Sequence, residues 1–361
     1  MLLEFYIIMT EMTTGKKVLV TGANGHLGYT LVKTLSERGY QVRASVRDYT
    51  NNEKTEHLKL LGQKVEIVSL DITDLEQFKQ VSSGMDTIFH AAAVFKFGLK
   101  NPEETIIKPI VEGALNALRA AQANGITKII YTSSAVTLGG NGIEGKPRNE
   151  NDWDAETKVP YQLAKVKAEQ QAWELADELG VKMIAVLPGL ILGPYFKNIS
   201  SSIHLIEQMA EGKVPLIPPF GFNITDVREV TEAHIQAYEK FNTEGRYIVG
   251  HTEPTSFEEI LRILNKEDPS IKVPRGRMTK GMFVMYARVT SFFARLFGKV
   301  PQITTQQAKE YSKGRWMDIS KAQNELGITP RPIEESVIDT LNWLRKPKFK
   351  ELEVNTGKSV D

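Results

Sequence analysis

The chain has 361 residues, a quarter of them charged, with a formal net charge of +1 and no cysteine. That length suits one larger domain with a smaller companion. Balanced charge offers nothing to a nucleic-acid partner, and the lack of cysteine excludes disulfides, thiolate nucleophiles and cysteine-ligated zinc, which fits a reducing cytoplasm.

Residues 1–16 read as an N-terminal extension. The stretch Met1–Met9 is apolar but short, with no basic flank and no small-residue cleavage site. From Lys17, β-rich apolar runs alternate with amphipathic stretches. Lys17–Thr21, Gln41–Val46, Val65–Ser69, Asp86–His90, Lys128–Thr132 and Lys182–Leu187 read as buried strands. Leu27–Glu37 and Val111–Ala123 carry helical spacing between them. Such repetition predicts an α/β fold, a Rossmann-type doubly wound parallel sheet over residues 17–194.

Beyond Pro194 the pattern changes. Pro215, Pro218 and Pro219 interrupt regular helix, and helical stretches near Val230–Phe241, Phe257–Leu264, Thr304–Ser312 and Ile333–Leu344 dominate. Residues 195–345 are expected to form a smaller, mostly helical substrate-binding region, some segments returning to the first domain. Residues 346–361 read as a charged tail. The apolar Gly281–Phe297 is interrupted by Arg288 and Arg295 and is too short to span a bilayer. It predicts an amphipathic helix in the core or over the substrate. Peripheral membrane contact is the less favoured reading.

Two clusters carry chemistry. The first strand runs into Gly22-Ala-Asn24-Gly25-His26-Leu27-Gly28. Gly22 permits the tight turn, Gly25 lets the backbone approach a pyrophosphate, and Gly28 lets helix and strand pack closely. The second strand ends at Arg47-Asp48, with Lys54 beyond. Two cations near one ribose point to a 2′-phosphate and hence NADP(H), against the alternative that both are solvated surface charges. Asp71-Ile72 follows the third strand, placed for an adenine edge or, in the case of the aspartate, for a helix N-cap.

Tyr161 and Lys165 stand four apart on a helical stretch, so phenol and ammonium share one face. A neighbouring ammonium and the cationic oxidised nicotinamide together favour phenolate, which is expected to bring the phenol into range for proton transfer to a carbonyl. Ser134, with Ser133 as the alternative, ends the fifth strand, where a hydroxyl can polarise that carbonyl. Capping of the next turn is the plainer role for both.

With these residues assembled, the chain resembles the extended short-chain dehydrogenase/reductase superfamily of NAD-dependent epimerase/dehydratase type, in its dihydroflavonol 4-reductase-like branch. The resemblance rests on Thr21–Gly28, Val42–Asp48, Phe89-His-Ala-Ala92, Lys108-Pro109, Thr132–Ala135, Tyr161–Lys165, Pro188–Pro194 and Arg331–Ser336. It implies a Ser134–Tyr161–Lys165 triad, Arg47 and Lys54 on the 2′-phosphate, and Ala91, Ala92 and Pro188 beside the cofactor. It also implies a substrate pocket near Ala93–Phe97 and Pro188–Leu192. Sugar-nucleotide epimerases usually have an asparagine in the segment matching Leu187–Pro194, where this chain has Gly189 among apolar residues. The Ala135-Val136 after Ser134 lacks the acidic residue that the superfamily's dehydratases place there.

The leading expectation is NADPH-dependent reduction of an aldehyde or ketone on an apolar small molecule. Phe95, Phe97, Gly189, Leu190, Tyr195 and Phe220 are the pocket candidates. The alternatives are a sugar or nucleotide-sugar epimerase, with Arg228, Arg275 and Arg277 for a diphosphate, a sterol-type 3β-hydroxy dehydrogenase, and a non-catalytic NADP(H) sensor. No histidine spacing suggests a metal. A monomer or homodimer is expected, with no nucleic-acid partner and with membrane contact the less favoured reading.

Overall fold

Each apolar run read as a strand forms one, because a strand buried on both faces needs a continuous apolar segment. In the computed structural model these are β1 (Lys17–Thr21), β2 (Gln41–Val46), β3 (Val65–Ser69), β4 (Thr87–His90), β5 (Lys128–Thr132) and β6 (Lys182–Pro188). Later come β7 (Leu190–Leu192), β8 (Gly221–Phe222), β9 (Ile224–Asp226), β10 (Gly245–Val249) and β11 (Thr255–Ser256). The structure describes residues 15–92, 101–140, 142–143, 145–297, 301, 303–311 and 315–346, without the side chains of Arg295 and Glu310. Most of the expected extension and tail, and the candidates Phe95 and Phe97, lie outside the described residues.

Seven strands form one parallel sheet in the order β3-β2-β1-β4-β5-β6-β10. The order reverses between β1 and β4, and in such sheets the crevice beyond the carboxyl ends at that point receives the ligand. Asp86 lies just before β4 rather than in it, and its carboxylate accepts the Lys17 backbone N–H at 2.6 Å. The seventh strand, β10, went unread in the sequence.

The helices are α1 (His26–Glu37), α2 (Asn52–Lys59), α3 (Leu75–Ser82), α4 (Lys108–Ala123), α5 (Pro160–Leu179) and α6 (Ser201–Ala210). They are followed by α7 (Val227–Glu239), α8 (Phe257–Glu267), α9 (Lys280–Leu296), α10 (Thr305–Tyr311) and α11 (Ile333–Arg345). On one sheet face, Leu19, Ile88 and Ile129 pack with Leu118 of α4 and Ala168 of α5. On the other, Val18, Val20 and Ile184 pack with Leu31 of α1 and Val230 of α7. Thus α7 and β10, both beyond residue 194, complete the nucleotide-type sheet. A third apolar cluster joins α6, α8 and α11 through Ile206, Leu261 and Leu341.

A polar clamp ties the last helix to the sheet domain. Ser336 donates to Asp226 at 2.8 Å, the Arg331 backbone N–H donates to Glu229 at 2.6 Å, and Thr340 accepts from Gly193 N–H at 2.7 Å. The Arg331–Ser336 segment therefore has a structural use.

Candidate active site

The turn after β1 shows why glycine is required there. Gly22 has φ 69°, and a Cβ on it would meet the Ala92 backbone at 2.8 Å. A Cβ on Gly28 would lie 2.1 Å from the Gly22 carbonyl oxygen. Gly25 donates to that carbonyl at 2.9 Å and precedes the first turn of α1 without a side-chain cap. The first backbone N–H groups of α1 thus have no side-chain cap, and an uncapped helix start favours an anion. Ala92 donates to the Thr21 hydroxyl at 3.1 Å, which holds the segment from Ala91 against the turn.

The neighbours of the turn are fixed by later residues. His26 Nε2 donates to the Pro194 carbonyl at 2.7 Å, and burial pulls its pKa down to about 4, so the ring is neutral. Asn198 donates to the Asn24 carbonyl at 3.2 Å, while Leu27 is buried in the core. Pro188 ends β6 opposite Val249.

Arg47, just after β2, and Lys54, in the first turn of α2, are both exposed. Asp48 turns aside, accepting from the Thr50 N–H at 2.9 Å and the Thr50 hydroxyl at 2.6 Å, and these bonds hold its carboxyl below the usual range. Asp71 does not cap a helix, as one expectation had it. Asp74 caps α3 by accepting from Gln77 N–H at 3.0 Å, and Asp71 instead closes a turn onto Thr73. The Ile72 side chain fills the space left by Gly113 of α4.

Ser134, Tyr161 and Lys165 come together at the carboxyl end of β5. Ser134 hydrogen-bonds the Tyr161 phenol and also accepts from Val136 N–H at 3.3 Å. The cap and the hydrogen bond to the phenol therefore fall on one residue. Ser133 is turned the other way, donating to Glu169 at 2.5 Å. Lys165 is buried, donates to the Thr132 carbonyl at 3.0 Å and lies 5.6 Å from the centre of the Tyr131 ring. Burial draws its pKa down to about 8, and the charge of Glu169 works in the other direction.

In the chain by itself burial pushes the Tyr161 phenol upward, the Ser134 hydrogen bond pulls it down, and Tyr311 pushes it up again. The Lys165 ammonium donates to the Thr132 carbonyl, and burial is the largest influence on the phenol.

Behind the triad, α5 is anchored by a buried ion pair that sequence reasoning missed. Arg246 of β10 donates to Glu169 at 2.7 Å, to Thr137 at 2.7 Å and to the carbonyls of Glu150 and Asp152, and stacks 3.8 Å from the Trp153 ring centre. Glu169 stands four residues beyond Lys165, so the helical spacing that marks Tyr161 and Lys165 extends one step further.

The pocket candidates divide. Phe220 lies 5.1 Å from Phe283 and 5.6 Å from Tyr311, which in turn lies close to Tyr161. Tyr195 instead meets Trp343 at 5.3 Å and lies under Lys33, away from the Phe220 cluster. A Cβ on Gly189 would sit 2.0 Å from the Asn223 carbonyl, so this glycine serves the contact between β7 and β9. Leu190 packs partly buried in the third cluster. Tyr311 was not singled out from the sequence, where nothing distinguishes it from any helix-end tyrosine.

Comparison with known proteins agrees with this geometry. Residues 18–250 match the NAD dependent epimerase/dehydratase family. The chain is 33% identical to an anthocyanidin reductase of Vitis vinifera, over 73% of this chain and 85% of that protein. It is 32% identical to a bifunctional dihydroflavonol 4-reductase/flavanone 4-reductase of Malus domestica, over 72% of this chain and 78% of the other. The crystal structure of yeast methylglyoxal/isovaleraldehyde reductase, complexed with NADPH, shares the fold with a TM-score of 0.71 at 23% identity, covering 91% of this chain and 98% of that one. The protein belongs to the NAD dependent epimerase/dehydratase family, within the dihydroflavonol 4-reductase-like branch of the extended short-chain dehydrogenases/reductases.

Proposed function

We propose that this protein is an NADP(H)-dependent oxidoreductase that reduces an aldehyde or ketone to an alcohol. The observation that carries the reading is the meeting of Ser134, Tyr161 and Lys165 beside the glycine turn. The residues fit a dinucleotide: the turn at Gly22, Gly25 and Gly28 takes the pyrophosphate on backbone N–H groups. Arg47 and Lys54 take the 2′-phosphate, and Asp71, Ile72, Ala91, Ala92 and Pro188 border the remainder. The bound cofactor supplies the hydride.

Ser134 hydrogen-bonds the substrate carbonyl and fixes it next to Tyr161. The Tyr161 phenol then passes its proton to the carbonyl oxygen as that oxygen gains charge. Lys165 remains an ammonium at neutral pH, since its pKa stays near 8, and it compensates the phenolate left behind. Phe220 and Tyr311 supply an apolar wall, so the substrate is a small, fairly apolar carbonyl compound. In this scheme residues 17–194 hold the cofactor and residues 195–345 the substrate, with α7 and β10 returned to the sheet.

The relatives on this branch are named as reductases, which agrees with the scheme. A sugar-nucleotide epimerase finds less support. Arg228 is bound to Asp226 and Asp339, and Arg277 to Glu258, so two of the three cations expected for a diphosphate are already engaged. Titration with NADPH and NADH, followed by cofactor oxidation against a panel of aldehydes and ketones, tests the reading. Preferential NADPH binding with turnover is the expected result. Tight retention of NAD without net oxidation would replace it with the epimerase.

A further inference from the structure

Helix α9 reverses the usual arrangement of a surface helix. Phe283 and Ala287 turn inward onto Ala308, with Ile303 and Phe220 beside them, and Ser291 donates to the Ile303 carbonyl at 3.1 Å. The opposite face should be polar. It carries Met282, Met285, Val289, Phe292, Phe293 and Leu296, all exposed, with Phe292 at 64% and Leu296 at 67%. A contiguous apolar stripe of this kind marks a contact surface.

Charge indicates what covers it. From Pro269 to Lys309 the sequence has eight lysines and arginines and no acidic residue, in a chain whose net charge is only +1. Lys272, Arg275, Lys280, Arg288 and Lys309, in α9 and the segments that flank it in sequence, are exposed. Among the described residues of this segment, only Arg277 is ion-paired, to Glu258. A second copy would set like charges face to face, whereas an acidic lipid surface neutralises them. No helix among the described residues is long and apolar enough to cross a membrane. An amphipathic helix with a basic surround lies in the interface instead.

We propose that α9 is a membrane-docking helix that seats on a bilayer containing acidic phospholipids. Its Met, Phe and Leu side chains enter the acyl boundary, and Lys272, Arg275, Lys280, Arg288 and Lys309 meet the headgroups. The inner face of the same helix reaches the site: Phe283 contacts Phe220, Phe220 contacts Tyr311, and Tyr311 lies close to Tyr161. Taken with the reductase reading, on which this clause rests, the substrate is a lipophilic carbonyl compound drawn from the bilayer.

The test is flotation of the full chain with vesicles of phosphatidylcholine alone or mixed with phosphatidylglycerol, at low and high salt. Binding to the acidic vesicles is expected to exceed binding to neutral ones by about tenfold or more, and to fall with salt. Two variants keep the fold, because every changed side chain is exposed: Met285→Ser/Phe292→Ser/Leu296→Ser and Lys280→Glu/Arg288→Glu. Each is expected to lose most of the binding with unchanged circular dichroism and thermal unfolding. Absence of flotation, or equal flotation of the variants, overturns the proposal. So does a wild-type dimer that the triple substitution dissociates without any vesicle binding, since a second copy would then cover α9. Vesicle binding in a protein that reduces no carbonyl compound would leave the docking surface standing and remove the reductase reading.

Discussion

Two helices beside the site, α5 and α9, both break the rule that charge faces water and apolar side chains face the core, and they break it in opposite directions. Helix α5 buries Lys165 and Glu169 completely or nearly so. Helix α9 sends Met285, Phe292 and Leu296 into solvent. The inversion in α5 is satisfied within the fold, by Thr132, Ser133, Trp173 and Arg246. That in α9 has no such partner among the described residues. Buried charge is costly without compensation, so it persists only where the chain itself supplies the partners. Exposed apolar surface is retained where a partner outside the chain supplies them. Both exceptions to local consistency fall where function is proposed, as expected when a sequence is otherwise consistent with its fold.

Substitutions can break this contrast, and the largest effect is expected at the proton donor. Tyr161→Phe should lower kcat about 10³-fold, with cofactor binding nearly intact, as steady-state kinetics and cofactor titration would show. Surviving turnover would mean that the inversion in α5 is structural only. In the wild type, kcat/KM for reduction should fall above about pH 8 as Lys165 loses its proton, because its charged form exists below that pKa.

The next effect concerns stability. Arg246→Met leaves Glu169 buried without its cation and should cost about 3–5 kcal/mol in urea unfolding. Adding Glu169→Gln to that variant should recover part of the loss. If the double variant is no more stable than the single one, the ion pair is not what holds α5.

Arg47→Ala with Lys54→Ala should weaken NADPH binding about tenfold while leaving NADH binding little changed, since each exposed cation contributes modestly. An unchanged preference would move the 2′-phosphate contact elsewhere.

The smallest expected effect lies in the clamp on α11 and asks whether a third buried charge is also fully compensated. Burial raises the Glu229 carboxyl from 4.5 to about 7, against the Arg331 N–H that lowers it. Its protonated form is favoured by folding, so this contribution is fully present below about pH 4.5 and is lost as pH rises through about 7. Glu229→Gln should flatten that dependence by about 1–2 kcal/mol in thermal unfolding measured across the range. Equal slopes in the two proteins would show that Glu229 is paired as completely as Glu169.

Much of this molecule was legible before any coordinates. The six strands, the glycine turn, and the Tyr161–Lys165 spacing rest on sterics and periodicity within a few residues, so the sequence by itself determined them. The tertiary structure decided the rest. It chose Ser134 over Ser133 to face Tyr161, because Glu169 from the neighbouring helix engages Ser133. It inserted β10 beside β6, although β10 lies more than fifty residues downstream, and so brought Arg246 under the site. It placed Tyr311 near Tyr161 across 150 residues of chain. It also turned one apolar side of α9 outward: a helix with apolar residues on two faces reads the same in sequence whichever face is covered, and only packing against Phe220 and Ala308 selects between them.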